Sequence, residues 1–206
     1  MARVKKPIDY IEGLCSSKRT EQRELGKMLQ AQYERWRKTL ALEDFIKFNE
    51  AIMANKAKIG VAQFFGKFRA YAFEEYVYHL LKEKVSIKKP MEVFWGERCL
   101  VWQNTEKDYT IEFDISIGRK IGEFIDPTMV FDAKVELDSA RLKTALASFA
   151  ILKSLKPRVK CILVYIAKDL DNTLLDLAKK WVDGVFRFSL EKDETSAFLN
   201  YISNCL

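Results

Sequence analysis

Residues 109–166 decide the fold, and they read YTIEFDISIG (109–118), RKIGEFIDPT (119–128), MVFDAKVEL (129–137), DSARLKTALASFAILKSLKP (138–157) and, after Arg158, VKCILVYI (159–166). Two of these apolar runs, which we predict as strands, carry acid: Asp114 lies in EFDISI and Asp132 in VFDAKVEL. Since side chains alternate along a strand, Asp132 and Lys134 share one face. Charge inside an apolar run is costly unless it pairs or binds a cation. We therefore expect a functional site here.

The segment after these strands predicts the rest of the core. Asp138-Ser139 has the residue types of a helix N-terminus, and an apolar stripe at spacings of three and four predicts a helix that ends near Leu155. The continuous apolar run Val159–Ala167 is typical of a strand buried on both faces. Strands that alternate with helices predict an α/β fold, a mixed β-sheet with helices on both faces.

Two weaker predictions concern the remaining strands. The residues Met91–Trp95 and Cys99–Gln103 are predicted as a strand pair around Gly96-Glu97. Gly118–Asp126 is predicted as a loop, which would place Arg119 and Lys120 where they approach a phosphate. Arg141 and Lys143 lie in the first turn of the predicted helix beside the acidic site, and they are either nucleic-acid contacts or ordinary helix surface.

The N-terminal third is helical and basic. We predict a helical extension over residues 1–60 and a core over residues 61–206. Residues 1–70 hold 15 Lys and Arg against 8 Asp and Glu, within a chain of net charge +6. The helices 20–40 and 42–58 are apolar enough for core or dimer packing, while Arg35 and Arg37 on their polar face are candidates for DNA contact. Both roles stay open.

A third helix, predicted over Phe64–Lys84, contains a candidate acid. Its apolar stripe includes Phe73, Val77 and Leu81, and Glu74 lies on or beside that stripe. Glu75 is predicted to face a wetter side of the same helix.

The order Asp114, then Asp132-x-Lys134, then an amphipathic helix and a buried strand, resembles the PD-(D/E)XK nuclease superfamily, which includes restriction endonucleases. The residues Phe73, Glu74, Val77 and Leu80-Leu81 resemble the helix F-E-x-x-V-x-x-L-L that often precedes its catalytic strands. Phe113 stands where the Pro of the name would stand. The resemblance covers about residues 66–166 and implies a restriction-endonuclease-like fold.

The resemblance also implies a metal site. Asp114, Asp132, Glu74 and the backbone carbonyl of Ala133 would hold Mg²⁺, with Mn²⁺ as a substitute. Oxygen ligands suit a hard cation, which offsets the charge that develops when a phosphodiester is attacked. Lys134 would act either as a cation or, with a lowered pKa, as a proton acceptor. One metal ion and two remain alternatives.

The function implied is a Mg²⁺-dependent DNA endonuclease, a type II restriction endonuclease-like homodimer that cuts duplex DNA. Two-fold symmetry would provide one active site for each strand. The alternatives are a structure-selective or repair nuclease such as a junction resolvase, a non-catalytic nucleic-acid or protein-binding member of the fold, and a structural adaptor that binds no metal. No G-x-x-x-x-G-K-[ST] loop occurs, so we expect no nucleotide cofactor.

Cysteine content and hydropathy limit the kinds of site and the cellular environment that we expect. The four cysteines are far apart and form no Cys-x-x-Cys, which argues against a zinc site or a disulfide framework. No apolar stretch approaches the roughly 20 residues of a membrane helix. The N-terminus MARVKKPIDYIEG lacks the apolar region of a signal peptide. We expect a soluble, cytoplasmic protein that does not enter the membrane.

Overall fold

The computed structural model describes residues 6–206; residues 1–5 of the predicted N-terminal extension lie outside the described part. The helices are α1 (Pro7–Cys15), α2 (Thr20–Thr39), α3 (Leu42–Ala54), α4 (Lys56–Ile59), α5 (Ala62–Lys84), α6 (Ser139–Leu155), α7 (Asn172–Ala178) and α8 (Thr195–Cys205). The strands are β1 (Glu92–Trp95), β2 (Arg98–Gln103), β3 (Asp108–Glu112), β4 (Ile115–Ile121), β5 (Phe124–Asp138), β6 (Lys160–Asp169), β7 (Gly184–Ser189) and β8 (Lys192–Asp193).

One mixed sheet organises these elements. Its strands run in the order β1-β4-β5-β6-β7-β8, and β2 joins β3 and one end of β5. β1, β4 and β5 are antiparallel neighbours, whereas β5, β6 and β7 run parallel. The parallel pair β5–β6 is connected through α6, which begins where Asp138 caps the helix by accepting a hydrogen bond from Arg141 N at 2.8 Å. The predicted α/β architecture with a mixed sheet is therefore confirmed.

The helix predictions hold with small shifts, and the two strands predicted at Met91–Trp95 and Cys99–Gln103 are present, but their predicted pairing is wrong. The helix predicted over 42–58 is divided at Asn55 into α3 and α4. β1 pairs with β4, and β2 pairs with β3, so the two predicted partners Met91–Trp95 and Cys99–Gln103 do not form a hairpin within residues 6–206. Strand partners depend on contacts distant in sequence, which local alternation does not contain.

The loop predicted over Gly118–Asp126 is also wrong. β4 continues to Ile121, β5 starts at Phe124, and only a short turn at Gly122 separates them. The Asp126-Pro127 pair lies inside β5, where the register shifts opposite Gly118. Proline has no N–H to donate to a neighbouring strand, and a bulge is one of the places in a sheet where this is tolerated. Gly118 is required at this position, since an added Cβ would lie 2.3 Å from Asp126 O.

Two hydrophobic clusters cover the two faces of the sheet. Alternate residues of β5 show the division: Met129 and Phe131 join the larger cluster, while Val130 joins the smaller one against α6 and α7. The larger cluster contains buried side chains from α1, α2 and α3 together with those of α5 and α8. The predicted extension and the predicted core are therefore packed into one continuous hydrophobic cluster.

We expect residues 61–206 alone to fail to form a native core. The fragment would expose the aromatic surface of α5 that the first helices cover: Phe45 stacks on Tyr76 with ring centroids 4.4 Å apart, and Tyr10 stacks on Phe68 at 5.0 Å. Losing even one such partner costs about 3–5 kcal/mol. Near-UV circular dichroism and thermal unfolding of the purified fragment would test this. A fragment with cooperative unfolding would contradict the expectation and support a separable extension.

Candidate active site

Asp114 lies where the chain leaves one strand for the next. Sequence alternation predicted one strand through this position, but β3 ends at Glu112 and β4 starts at Ile115. The alternation breaks here because Phe113 packs in the smaller cluster, stacked on Phe149, and Ile115 packs in the larger one. The bend turns the Asp114 carboxylate toward β5, where Oδ2 accepts a hydrogen bond from Ala133 N at 2.8 Å.

Lys134 joins the two aspartates. Its ammonium Nζ lies 3.1 Å from Asp114 Oδ2 and 2.6 Å from Asp132 Oδ1. The three side chains are mostly buried, with exposed fractions of 19% for Asp114, 16% for Asp132 and 24% for Lys134. The buried Asp132 Oδ1 thus has the Lys134 ammonium as its partner. The structure thus brings together the three residues that the sequence motif singles out.

The electrostatics of this cluster are those of two carboxylates that share one cation. Burial, and then repulsion from Asp114, raise the pKa of Asp132 to about 6, although Lys134 opposes the shift. Burial disfavours the charged form of Lys134, but Asp114 and Asp132 together more than offset it, so the Lys134 pKa is raised above its usual value. Asp132 therefore takes up a proton at a higher pH than an ordinary aspartate, whereas Lys134 stays charged.

Glu74 lies in the wall of an adjoining cavity. This cavity has a volume of about 330 Å³, and Glu74, Lys134, Glu136 and the backbone segment around Ala133 line it. Glu74 is 4% exposed, and its Oε2 accepts a hydrogen bond from Trp95 Nε1 at 2.9 Å. Trp95 was not predicted to contribute to the site. The only sequence signal was an indole at the end of a strand, which indicates packing far more often than a bond to a carboxylate.

Replacing Trp95 by Phe is expected to lower the free energy of unfolding by about 1–3 kcal/mol, since a buried carboxylate loses a hydrogen-bond donor while the aromatic ring is kept. Denaturant unfolding measures the change. Trp102→Phe is the matched control, because Trp102 is 42% exposed. Equal losses in the two variants would contradict a structural role for the Trp95–Glu74 bond.

The prediction that Glu75 faces a wetter side is wrong. Glu75 is 5% exposed and lies among Tyr33, Tyr78 and His79 in a different cavity from Glu74. The sequence misleads here because α2 covers this side of α5, and its Tyr33 hydroxyl donates a hydrogen bond to Glu75 Oε1 at 2.9 Å. Glu74, not Glu75, shares a cavity with Lys134.

The predicted nucleic-acid-binding residues lie in three places. Arg141 lines the Lys134 cavity and donates to Glu136 O at 2.8 Å, while Lys143 is exposed further along α6. Arg119 and Lys120 are exposed on β4, where Lys120 lies 3.7 Å from Glu97. These four remain predictions as DNA contacts.

The N-terminal arginines are placed differently. Arg35 forms an ion pair at 2.8 Å with the buried carboxylate of Asp44, and Arg37 lines the Glu75 cavity rather than the Lys134 cavity. A basic residue that sequence analysis missed is Arg69 of α5. Its guanidinium lies in the Lys134 cavity and pairs with Glu136 at 2.8 Å. Arg69 lies one turn and a half before Glu74 in α5, so the helix that carries the acid also carries this cation.

The donor set fits a hard cation at the aspartate pair. Asp114 and Asp132 offer carboxylate oxygens, the ligands that Mg²⁺ prefers, and both already lie beside one positive charge, the Lys134 ammonium. Three or more His, Cys, Asp or Glu side chains do not meet in one metal-binding cluster anywhere in residues 6–206. Glu74 and the Ala133 carbonyl therefore stay predicted ligands. Over the same residues, no helix has the length and hydropathy needed to cross a membrane.

The fold has a counterpart among solved structures. The chain superposes on the structure described as the native BbvCI A2B2 tetramer with a TM-score of 0.55, and the match covers 93% of this chain and 86% of that one at 11% sequence identity. This likeness shows a restriction-endonuclease-like fold. No protein-family model matches the sequence, and no curated protein matches it significantly.

Proposed function

We propose that this protein is a Mg²⁺-dependent DNA endonuclease that hydrolyses phosphodiester bonds in duplex DNA as a type II restriction endonuclease-like homodimer. The observation that carries the proposal is the Asp114–Lys134–Asp132 cluster. Two partly buried carboxylates share one ammonium at the bend between β3 and β4, in a restriction-endonuclease-like fold. Stability alone explains such a cluster poorly, since buried ion pairs seldom stabilise more than apolar packing does.

The chain's residues divide the work as follows. Asp114 and Asp132 would hold the cation, and the hydrogen bond from Ala133 N keeps the Asp114 carboxylate turned toward β5. The chemistry that Mg²⁺ would supply when held there is neutralisation of developing charge and a lowered pKa of water. Lys134 offsets negative charge as it develops on the phosphate. Its raised pKa favours this electrostatic role over proton acceptance, because a general base must be neutral first.

Exposed apolar surface supports a homodimer. Ile151 and Leu155 of α6 and Trp181 after α7 are 42%, 50% and 69% exposed, and Trp181 borders an apolar depression on α6. Clustered exposed apolar groups are typical of interaction sites. The assembly named in the BbvCI structure is likewise an oligomer. Sedimentation equilibrium measures whether the chain is a dimer.

The test is cleavage of linear phage DNA and supercoiled plasmid with Mg²⁺, with Mn²⁺ and with EDTA. Discrete fragments that require the metal would support a sequence-specific endonuclease and allow its site to be mapped. Cleavage of branched DNA only would instead favour a structure-selective nuclease. Calorimetry that detects neither Mg²⁺ nor Mn²⁺ binding would remove the catalytic proposal and leave a binding member of the fold.

A further inference from the structure

A second cavity, of about 420 Å³, lies between α2, α5 and β1, and it shares no lining residue with the Lys134 cavity. Tyr33 and Arg37 of α2, Glu75, Tyr78 and His79 of α5, and Trp95 of β1 form most of its wall. Its volume lies in the range of small-molecule sites, and its lining combines aromatic rings with a few convergent polar groups. The proposed nuclease chemistry uses none of these polar groups.

Glu75 and His79 form the polar side of this cavity, and one atom of each lacks a hydrogen-bond partner in the described chain. Glu75 is 5% exposed; its Oε1 accepts from Tyr33, and His79 Nε2 lies 3.7 Å from the same oxygen. The second oxygen, Oε2, is buried and accepts no hydrogen bond from the described chain. His79 Nδ1 is buried and unbonded in the same way. Buried polar atoms without partners are costly, so their presence in a cavity wall indicates a ligand that supplies donors.

The remaining walls favour a flat aromatic ligand that carries negative charge. Tyr78 and Trp95 are stacked, with ring centroids 6.0 Å apart and planes inclined by 27°, and Tyr33 faces the same space. Aromatic surfaces of this kind stack on planar rings, including nucleobases. Arg37 and Lys6 also border the cavity, as does Glu97, whose carboxylate lies 3.7 Å from the Lys120 ammonium. Two cations disfavour a quaternary ammonium, which aromatic walls would otherwise attract, and they suit a phosphate.

We propose that this cavity binds a nucleobase through its N–H edge, with guanine preferred and with the attached phosphate near Arg37 and Lys6. Guanine has two adjacent N–H donors, N1–H and the N2 amino group, on one edge. Adenine and cytosine place a ring acceptor beside their amino group, and thymine and uracil flank their single N–H with carbonyls. Among the bases, only guanine offers two adjacent donors to one carboxylate; Glu75 Oε2 has no donor from the described chain, and Oε1 keeps a second lone pair beside its bond to the Tyr33 hydroxyl.

The first test is calorimetry on the full chain in EDTA, with GMP, AMP, CMP and UMP as probes and with choline as a cation control. GMP is expected to bind at least about tenfold more tightly than the other nucleotides, as the hydrogen bonds to a buried charge require. Oligothymidylate with one central dG, compared with oligothymidylate alone, distinguishes a base within nucleic acid from a free nucleotide. Absence of GMP binding to the wild type, or binding of choline instead, overturns the proposal.

Variants locate the site. Glu75→Gln presents an amide N–H₂ to the guanine donors, and it is expected to weaken GMP binding by at least about tenfold. Glu43→Gln, at an exposed position of α3, is the matched control. Arg37→Ala is expected to weaken GMP binding but not guanosine binding, and it serves as the second variant if Glu75→Gln does not fold. Unchanged GMP affinity in a folded Glu75→Gln protein overturns the assignment, whether or not the protein cleaves DNA.

Discussion

Asp132→Asn is expected to reduce metal-dependent DNA cleavage by at least about 10³-fold while the protein becomes more stable in EDTA. The activity falls because an amide is a poor ligand for Mg²⁺, and Asp132 is one of the two carboxylates that would hold the ion. Calorimetric titration with Mg²⁺ should show a parallel loss of binding.

The gain in stability follows from the pKa of Asp132. This carboxyl titrates near 4 in an unfolded chain, and burial together with Asp114 raises the pKa to about 6 in the fold. Between these values the folded protein binds more protons than the unfolded one. The free energy of unfolding therefore decreases as the pH rises from about 4 to about 6, and it stays lower above that. Asparagine mimics the protonated carboxyl, so the variant should not undergo this decrease. Above pH 6 its free energy of unfolding should exceed that of the wild type by about 2–3 kcal/mol.

Denaturant unfolding in EDTA at pH 4.5 and at pH 7.5 measures this difference. The advantage of Asp132→Asn should be present at pH 7.5 and small at pH 4.5. Asp108→Asn, at an exposed position on β3, is the control and should change neither value. A variant that is less stable than the wild type at pH 7.5 would show that Asp132 is a structural ion-pair partner. Retained cleavage would remove Asp132 from the site altogether.

Lys134→Met is the second substitution with a large expected effect. Unlike Asp132→Asn, it should make the protein less stable in EDTA. Removing the ammonium leaves Asp114 and Asp132 facing each other without their shared cation, which should cost about 2–4 kcal/mol in EDTA. Cleavage should fall by about 10²–10³-fold, since the charge that offsets the phosphate is gone. The loss of stability should shrink as the pH falls, since Lys134 lowers the pKa of Asp132 and without it this carboxyl takes up a proton at a higher pH than in the wild type.

The melting temperature of Lys134→Met should rise more steeply with Mg²⁺ than that of the wild type, because a divalent cation relieves the same repulsion. Ca²⁺ is a useful companion ion, since it binds carboxylates without requiring turnover. Lys38→Met, at an exposed position of α2, is the matched control for loss of one positive charge. If neither Mg²⁺ nor Ca²⁺ changes the melting temperature of the Lys134→Met protein, the aspartate pair does not bind metal.

Much of the fold and of the aspartate–lysine cluster is encoded locally. Asp132 and Lys134 are two apart in a strand, so their proximity follows from alternation alone, and the helix after them is marked by its cap and apolar stripe. Asp114 was found by the same apolar context. Its orientation was not, because the bend at Phe113 exists only when β3 and β4 pair with different strands.

Sequence analysis gave wrong predictions where elements distant in the chain determine the environment of a side chain. Glu75 looks exposed on an isolated helix and becomes buried only when α2 packs over α5 and brings Tyr33. Arg119 and Lys120 look like loop residues because Gly118 and Gly122 flank them, yet pairing with β5 extends the strand through both. Trp95 acquires its contact with Glu74 through the pairing of β1 with β4, which no local pattern indicates.

Glu74 and Glu75 are consecutive residues of α5, and a helix turns about 100° between neighbours. One peptide bond thus sets the angular offset between the two cavities. Trp95 links the two, since its ring borders the Glu75 cavity while its N–H donates a hydrogen bond to Glu74, which lines the Lys134 cavity. If this turn of α5 rotates about the helix axis, both carboxylates move together, because consecutive residues carry them. A ligand that displaced Trp95 or this turn of α5 in one cavity would therefore also move a wall of the other.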